Sequence, residues 1–169
     1  SGRALVERPA RYGFHATLKA PFALAEGQSE GALAGALKAL AAGLSPVGVT
    51  LELARLGSFF ALVPQSHSEP LTRLAGASVL ELEAFRAPMT AAEYERKLRP
   101  SMSAQKLKNL KRWGYPYVLE DFRYHLTLTG PVAQAERASV RAELDAALPD
   151  LSVAHRIGSI CLCGEDAAG

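Results

Sequence analysis

Apolar residues recur along this chain at two periods, and the switches between them mark out its elements. Leu33, Leu37, Leu40 and Leu44 fall at helical spacing behind Ser29, which predicts a helix with Ser29 as its cap. Val49, Leu51 and Leu53 then alternate as in a half-buried strand. Gly57-Ser58 turns the chain into a second apolar run, Phe59 to Val63, so this region predicts a hairpin. Ser68, with Pro70 in the first turn, opens a helix carrying Leu71, Leu74, Leu82 and Phe85. Thr90 and Glu93 form a capping box, and Ser103 caps a basic segment with Lys106, Lys108, Lys111 and Arg112 that ends at Trp113-Gly114. A helix bearing Val140, Leu144 and Leu148 precedes a last strand from about Ser152 to Leu162. Two further strands, Arg11 to Leu18 and Phe122 to Thr129, complete the pattern.

Helices and strands interleave with a hairpin among them, which predicts an α+β fold rather than a purely parallel sheet. At 169 residues and 49% hydrophobic, the chain is one domain able to bury a core without staples. It divides into a first part over about 1–65, a helical segment over about 68–113 and a second part over about 115–169. A hydrophobic content this high with a net charge of only +2 excludes a disordered chain, and no apolar run approaches the length of a membrane span. Cys161 and Cys163 form no disulfide framework and read as small residues alternating along a strand in a reducing, cytoplasmic setting. The basic run at 106–112 reads as a solvated helix face, or as a positive rim near an anion site.

Two stretches carry chemistry. Phe14-His15-Ala16-Thr17-Leu18-Lys19-Ala20-Pro21 and Tyr124-His125-Leu126-Thr127-Leu128-Thr129-Gly130-Pro131 share the frame aromatic-His-x-Thr-Leu-x-x-Pro, and each is followed by a helix. On a strand, side chains two apart share a face. His15, Thr17 and Lys19 would therefore project together, as would Arg123, His125, Thr127 and Thr129, while Phe14, Ala16, Leu18, Phe122, Tyr124, Leu126 and Leu128 face the core. If the two halves pack about a pseudo-twofold axis, the His-Thr faces converge on one groove. Two imidazoles flanking one phosphorus suit phosphodiester cleavage. A neutral ring takes the proton of the attacking nucleophile, and a charged ring protonates the departing oxygen. Two threonine hydroxyls donate to the non-bridging oxygens. This scheme calls for no cofactor. A paired-histidine metal site is the rival, but neither motif supplies a third ligand.

At these residues the chain resembles the two-histidine (2H) phosphoesterase superfamily, which includes RNA 2',5'-ligase-like enzymes and cyclic nucleotide phosphodiesterases. The wider stretches Arg11 to Lys19, Trp113 to Tyr117 and Phe122 to Gly130 are similar to a branch of phosphonate metabolism proteins. The resemblance implies catalytic roles for His15 and His125 and phosphate binding by Thr17 and Thr127. It also implies a bilobal α+β fold whose two mainly antiparallel sheets form a V-shaped groove, with helices packed outside. Superfamily members carry a strand and helix ahead of the first motif, whereas 14 residues precede His15 here. Further flanking segments, and sheet edges awaiting partners, are therefore expected.

Lys19, Arg123 and Arg11 are candidate phosphate contacts by strand parity, and Tyr115 is a candidate stacking surface beside Trp113 and Tyr117. Tyr12 reads as core, His67 as a solvated loop residue and His155 as a half-buried structural histidine. The reaction expected is opening of a small cyclic phosphate, a phosphorylated sugar by the resemblance, in a cytoplasmic monomer with no membrane partner. An RNA 2',3'-cyclic phosphate end is the alternative substrate, and a non-catalytic phosphate-ligand binder is the third reading.

Overall fold

The computed structural model describes residues 13–164. They form a mixed α+β structure in two compact units, each assembled from separate stretches of chain.

The first unit comprises Ser1–Thr17, of which residues from Gly13 are described, with Gly48–Glu69 and Tyr124–Ile157. Its centre is a three-stranded antiparallel sheet in the order β2 (Leu51–Leu56), β3 (Phe59–Pro64), β4 (Leu126–Thr127). The expected hairpin is β2–β3, in register from Leu51 opposite Pro64 to Leu56 opposite Phe59 around Gly57-Ser58. β4 adds to the other side of β3, with Leu62 opposite Leu126 and Ala61 opposite Thr127. The pleat then sorts the sheet into two faces. Leu51, Leu53, Phe60, Leu62 and Leu126 lie on one and are buried. Burial stabilises by roughly 1.5–3 kcal/mol for each large side chain. Ala54, Leu56, Phe59, Ala61 and Thr127 lie on the other. A second pairing joins β1 (Val47–Val49) to β5 (His155–Ile157), and helix α5 (Arg137–Ala147) buries Val140.

The second unit is Leu18–Val47, Pro70–Arg123 and Gly158–Gly169, described to Gly164. Helix α1 (Glu30–Ala42) starts where expected, with the Ser29 hydroxyl accepting from Ala32 N–H. Its Leu33 and Leu40 pack with Leu82 under Phe22, Leu24, Leu37 and Phe85. Leu44, placed on the same stripe by periodicity, is exposed because the helix stops at Gly43. Helix α2 (Glu69–Glu81) buries Leu71, Leu74 and Val79. Helix α3 (Ala91–Lys97) carries the Thr90–Glu93 capping box with both of its hydrogen bonds made. Helix α4 (Ala104–Trp113) is capped by Ser103 and terminated by Gly114 at φ +73°. The strip after the first motif is clipped to the chain following α2. Ala25 N–H donates to Phe85 C=O, and Ala87 N–H donates to Ala23 C=O.

The strand expectations need correction at both motifs and at the chain's end. Residues 13–19 form no strand, and Phe14, assigned to the core by parity, is 61% exposed. The stretch 122–129 forms a strand only at Leu126–Thr127, and the last strand shrinks to His155–Ile157. His155 is exposed rather than half-buried, and Cys161 and Cys163 are exposed and lie on no strand. The shared reason is partner supply. A strand persists only where a neighbour takes its hydrogen bonds, and alternation in sequence cannot reveal where the neighbour ends. Arg11 and Tyr12 lie outside the described residues.

Candidate functional site

His15, Thr17, His125 and Thr127 all fall in the first unit, although the two motifs are 110 positions apart in the chain. At the first motif the local backbone does the positioning. Gly13 adopts φ +68°, a left-handed conformation that costs residues with a Cβ, and the chain bends at Phe14. His15 Nδ1 then lies 3.0 Å from the Gly13 carbonyl oxygen. A carbonyl only accepts, so Nδ1 carries the proton and donates it. The neutral ring is thereby held as the tautomer whose basic nitrogen is Nε2. Both His15 and Thr17 are exposed.

At the second motif the sheet does the positioning. Thr127, paired with Ala61, stands on the face that carries Phe59. The His125 ring, half-buried, sits 6.1 Å from the Phe59 ring at a 47° tilt. Imidazole and hydroxyl therefore share a face floored by a small residue and bordered by an aromatic one. Phe59 is a member of this site that sequence reading assigned only to the hairpin.

The shared face ends at Thr127. Leu128 and Thr129 both donate their backbone N–H to the Phe60 carbonyl, at 2.9 and 3.2 Å. Two residues against one is the signature of a β-bulge, which breaks the alternation. Thr129, assigned by parity to the face of His125 and Thr127, is instead buried. Its hydroxyl accepts from Phe60 N–H at 3.0 Å and donates to Gly130 C=O at 2.8 Å.

Of the other candidates, Lys19, Tyr115 and Arg123 belong to the second unit. The Lys19 side chain is 10% exposed, and its ammonium is ion-paired to Glu83 at 2.8 Å and hydrogen-bonded to Val79 C=O at 3.1 Å. Arg86 binds the same carboxylate at 2.6 Å and extends to the carbonyls of Ala87 and Arg112. Burial would raise the Glu83 pKa. The hydrogen bonds and charges of Arg86 and Lys19 outweigh that and hold it below the ordinary carboxylate range. Lys19, Arg86, Lys97, Trp113 and Tyr115 line one small cleft. Tyr115 meets Tyr117 edge-on at 5.7 Å, and burial, with a smaller contribution from Tyr117, raises its hydroxyl pKa. Lys106 lies over the Tyr117 ring and Arg112 over Trp113, while Lys108 and Lys111 form a solvated face. Arg123 is exposed, and His67 is an exposed loop residue 3.6 Å from Glu69. Among the described residues no three His, Cys, Asp or Glu side chains gather as metal ligands, and no helix is long and apolar enough to cross a membrane.

Comparison with known proteins adds a family. The chain is 43% identical over 147 residues to ribose 1,5-bisphosphate phosphokinase PhnN of Laribacter hongkongensis, covering 85% of this chain and 34% of that protein. It is 37% identical over 127 residues to the protein of the same name from Janthinobacterium sp. (strain Marseille), covering 75% of this chain and 28% of that one. It thus spans about a third of the length of these curated relatives. No solved structure matches. The model of the family described as protein of unknown function DUF1045 matches residues 17–169, and the chain belongs to that family.

Proposed function

We propose that the chain is a metal-independent phosphodiesterase of the two-histidine type that opens a small cyclic phosphate to a monoester. The observation that carries this reading is the gathering of both His-x-Thr motifs into one compact unit, with His15 fixed as one tautomer and His125 and Thr127 set on one sheet face. One of His15 and His125 removes a proton from water as its oxygen bonds to phosphorus. The other, charged, gives a proton to the ring oxygen as its bond to phosphorus breaks. Thr17 and Thr127 donate to the non-bridging oxygens, where charge accumulates in the transition state. Together the imidazoles supply both proton transfers. The same reading takes the motifs as halves of a pseudo-twofold duplication whose groove receives the phosphate.

The names of the relatives support a phosphorylated sugar as the substrate class, since they speak of a phosphorylated ribose. They do not extend phosphokinase chemistry to this chain. No glycine here is followed by lysine, so the phosphate-cradling G-x-x-x-x-G-K-[ST] loop is absent from its 169 residues.

Phosphorus NMR in excess EDTA tests the reading, with a panel of ribose 1,2-cyclic phosphates, 2',3'-cyclic nucleotides and an RNA bearing a cyclic phosphate end. Conversion of a cyclic resonance to a monoester, lost in both His15→Ala and His125→Ala, is the expected result. Near-wild-type conversion in either variant would overturn it. Turnover of the RNA alone would move the substrate class to RNA ends.

A further inference from the structure

The cleft of the second unit has a charge imbalance that the hydrolysis does not use. Lys19 and Arg86, with side chains 10% and 13% exposed, share the single carboxylate of Glu83, itself 16% exposed. Two cations against one anion in so shielded a setting is electrostatically unbalanced, because little water is present to screen the excess. Lys97 adds a third cation to the lining; its hydrogen bond goes to a neutral acceptor, the Gly114 carbonyl, at 2.9 Å, and its charge is felt by Glu93 one turn earlier. Glu83 supports this lining from behind, and the carboxylate within the lining, Glu93, accepts from both the N–H and the hydroxyl of Thr90.

Donor capacity remains as well as charge. After the contacts to Glu83, Val79, Ala87, Arg112 and Gly114, one N–H of Lys19, one of Arg86 and two of Lys97 have no acceptor among the described residues. Tyr115 adds a hydroxyl donor to the same lining. The cleft holds about 60 Å³. A single water needs about 10–15 Å³ of such space, so the room suits one small polyatomic group and not a nucleotide.

We propose that this cleft is an anion site for a phosphate group, either inorganic phosphate or the phosphate of a small monoester, held by Lys97, Lys19 and Arg86. The site is composed wholly of residues of the second unit and does not depend on the histidine chemistry. A tetrahedral anion offers several acceptor oxygens to donors converging from different elements, which the ammonium and guanidinium groups here require.

Trp113, the one tryptophan of the chain, lines the cleft and serves as a built-in reporter. The test is its emission on titration of the whole chain with sodium phosphate at constant ionic strength, with sodium chloride as reference. The expected result is a saturable change that chloride does not produce. In Lys97→Gln, which keeps the Lys19–Glu83–Arg86 cluster, the affinity falls about tenfold, as for loss of one charge-assisted hydrogen bond. In His125→Ala the affinity is unchanged. Glucose 6-phosphate in place of phosphate separates the two sources, because saturation by inorganic phosphate alone marks a site closed to esters. A linear response equal to that of chloride overturns the proposal in the wild-type protein, whatever the variants do. Unchanged affinity in Lys97→Gln, or loss of the response in His125→Ala, overturns it by placing the phosphate elsewhere.

Discussion

The Thr129 hydroxyl accepts the Phe60 backbone N–H at 3.0 Å, inside a buried corner where Thr129 is 2% exposed. Phe60 is also the residue whose carbonyl takes two N–H groups at the bulge. One side chain thus satisfies a donor in the strand next to which the second His-x-Thr motif ends. Thr129→Val keeps the shape and strands the Phe60 N–H, which costs about 1–3 kcal/mol for a buried unsatisfied donor. Urea denaturation should show this loss with an unchanged denaturant slope, and Thr127→Val, at a half-buried position, should cost less than half as much.

The two-histidine scheme fixes the form of the pH dependence. One ring must be neutral and the other charged, so kcat/KM should rise and then fall with pH, a bell rather than a plateau. Thr127→Val should lower the whole bell by about 10²-fold, the usual loss for one donor to a developing oxyanion, without moving its limbs. A sigmoid that reaches a plateau would point to a single base.

Much of this architecture was legible because its signals are local. Ser29, Ser103, the Thr90–Glu93 box and Gly114 each act within one turn of chain, and each caps or ends the helix expected of it. The Gly57-Ser58 hairpin is equally short-ranged. The motifs themselves were found by repetition, but their faces were read from a strand period that the chain keeps only at Leu126–Thr127. The bulge at Leu128–Thr129 depends on β3, more than 60 residues earlier, and left no mark in the local alternation. The ion pair of Lys19 was hidden for a similar reason. Its partner Glu83 is 64 residues away, and nothing near Lys19 announces a carboxylate. Arg86 and Lys97 went unnoticed because single basic residues in helical or linking segments carry no pattern.

Acid should loosen the second unit through Glu83. Its carboxyl is held below the ordinary range by Arg86 and Lys19 against the opposing effect of burial. The sign follows from linkage. A depressed carboxyl contributes stability that is fully present above its unfolded value of about 4.3 and is lost as pH falls through the lower folded value. Melting temperatures between pH 6 and 3 should therefore drop more steeply in the wild type than in Glu83→Gln. That variant should already be less stable at pH 7, because it leaves Lys19 and Arg86 without a counter-charge.

Gly13 ties backbone conformation to the proton chemistry of His15. At φ +68° nothing lies within 4 Å of where a Cβ would sit, so the constraint on Gly13→Ala is conformational and not steric crowding. The left-handed conformation costs about 1–2 kcal/mol for an L-residue, and the chain can relieve it by rotating Gly13 out of that region. The carbonyl that accepts from His15 Nδ1 would turn with it, and the hold on the tautomer would be lost. The expected result is a lower kcat with little change in KM, since in the proposed mechanism Thr17 and Thr127 hold the phosphate without this carbonyl. The global melting temperature should shift by less than in Thr129→Val, because His15 is exposed and the turn supports no core. Gly13→Asn, whose side chain tolerates the left-handed region, should recover a large part of the lost kcat. An equal loss in both variants would mean that the turn needs the absence of a side chain and not the angle.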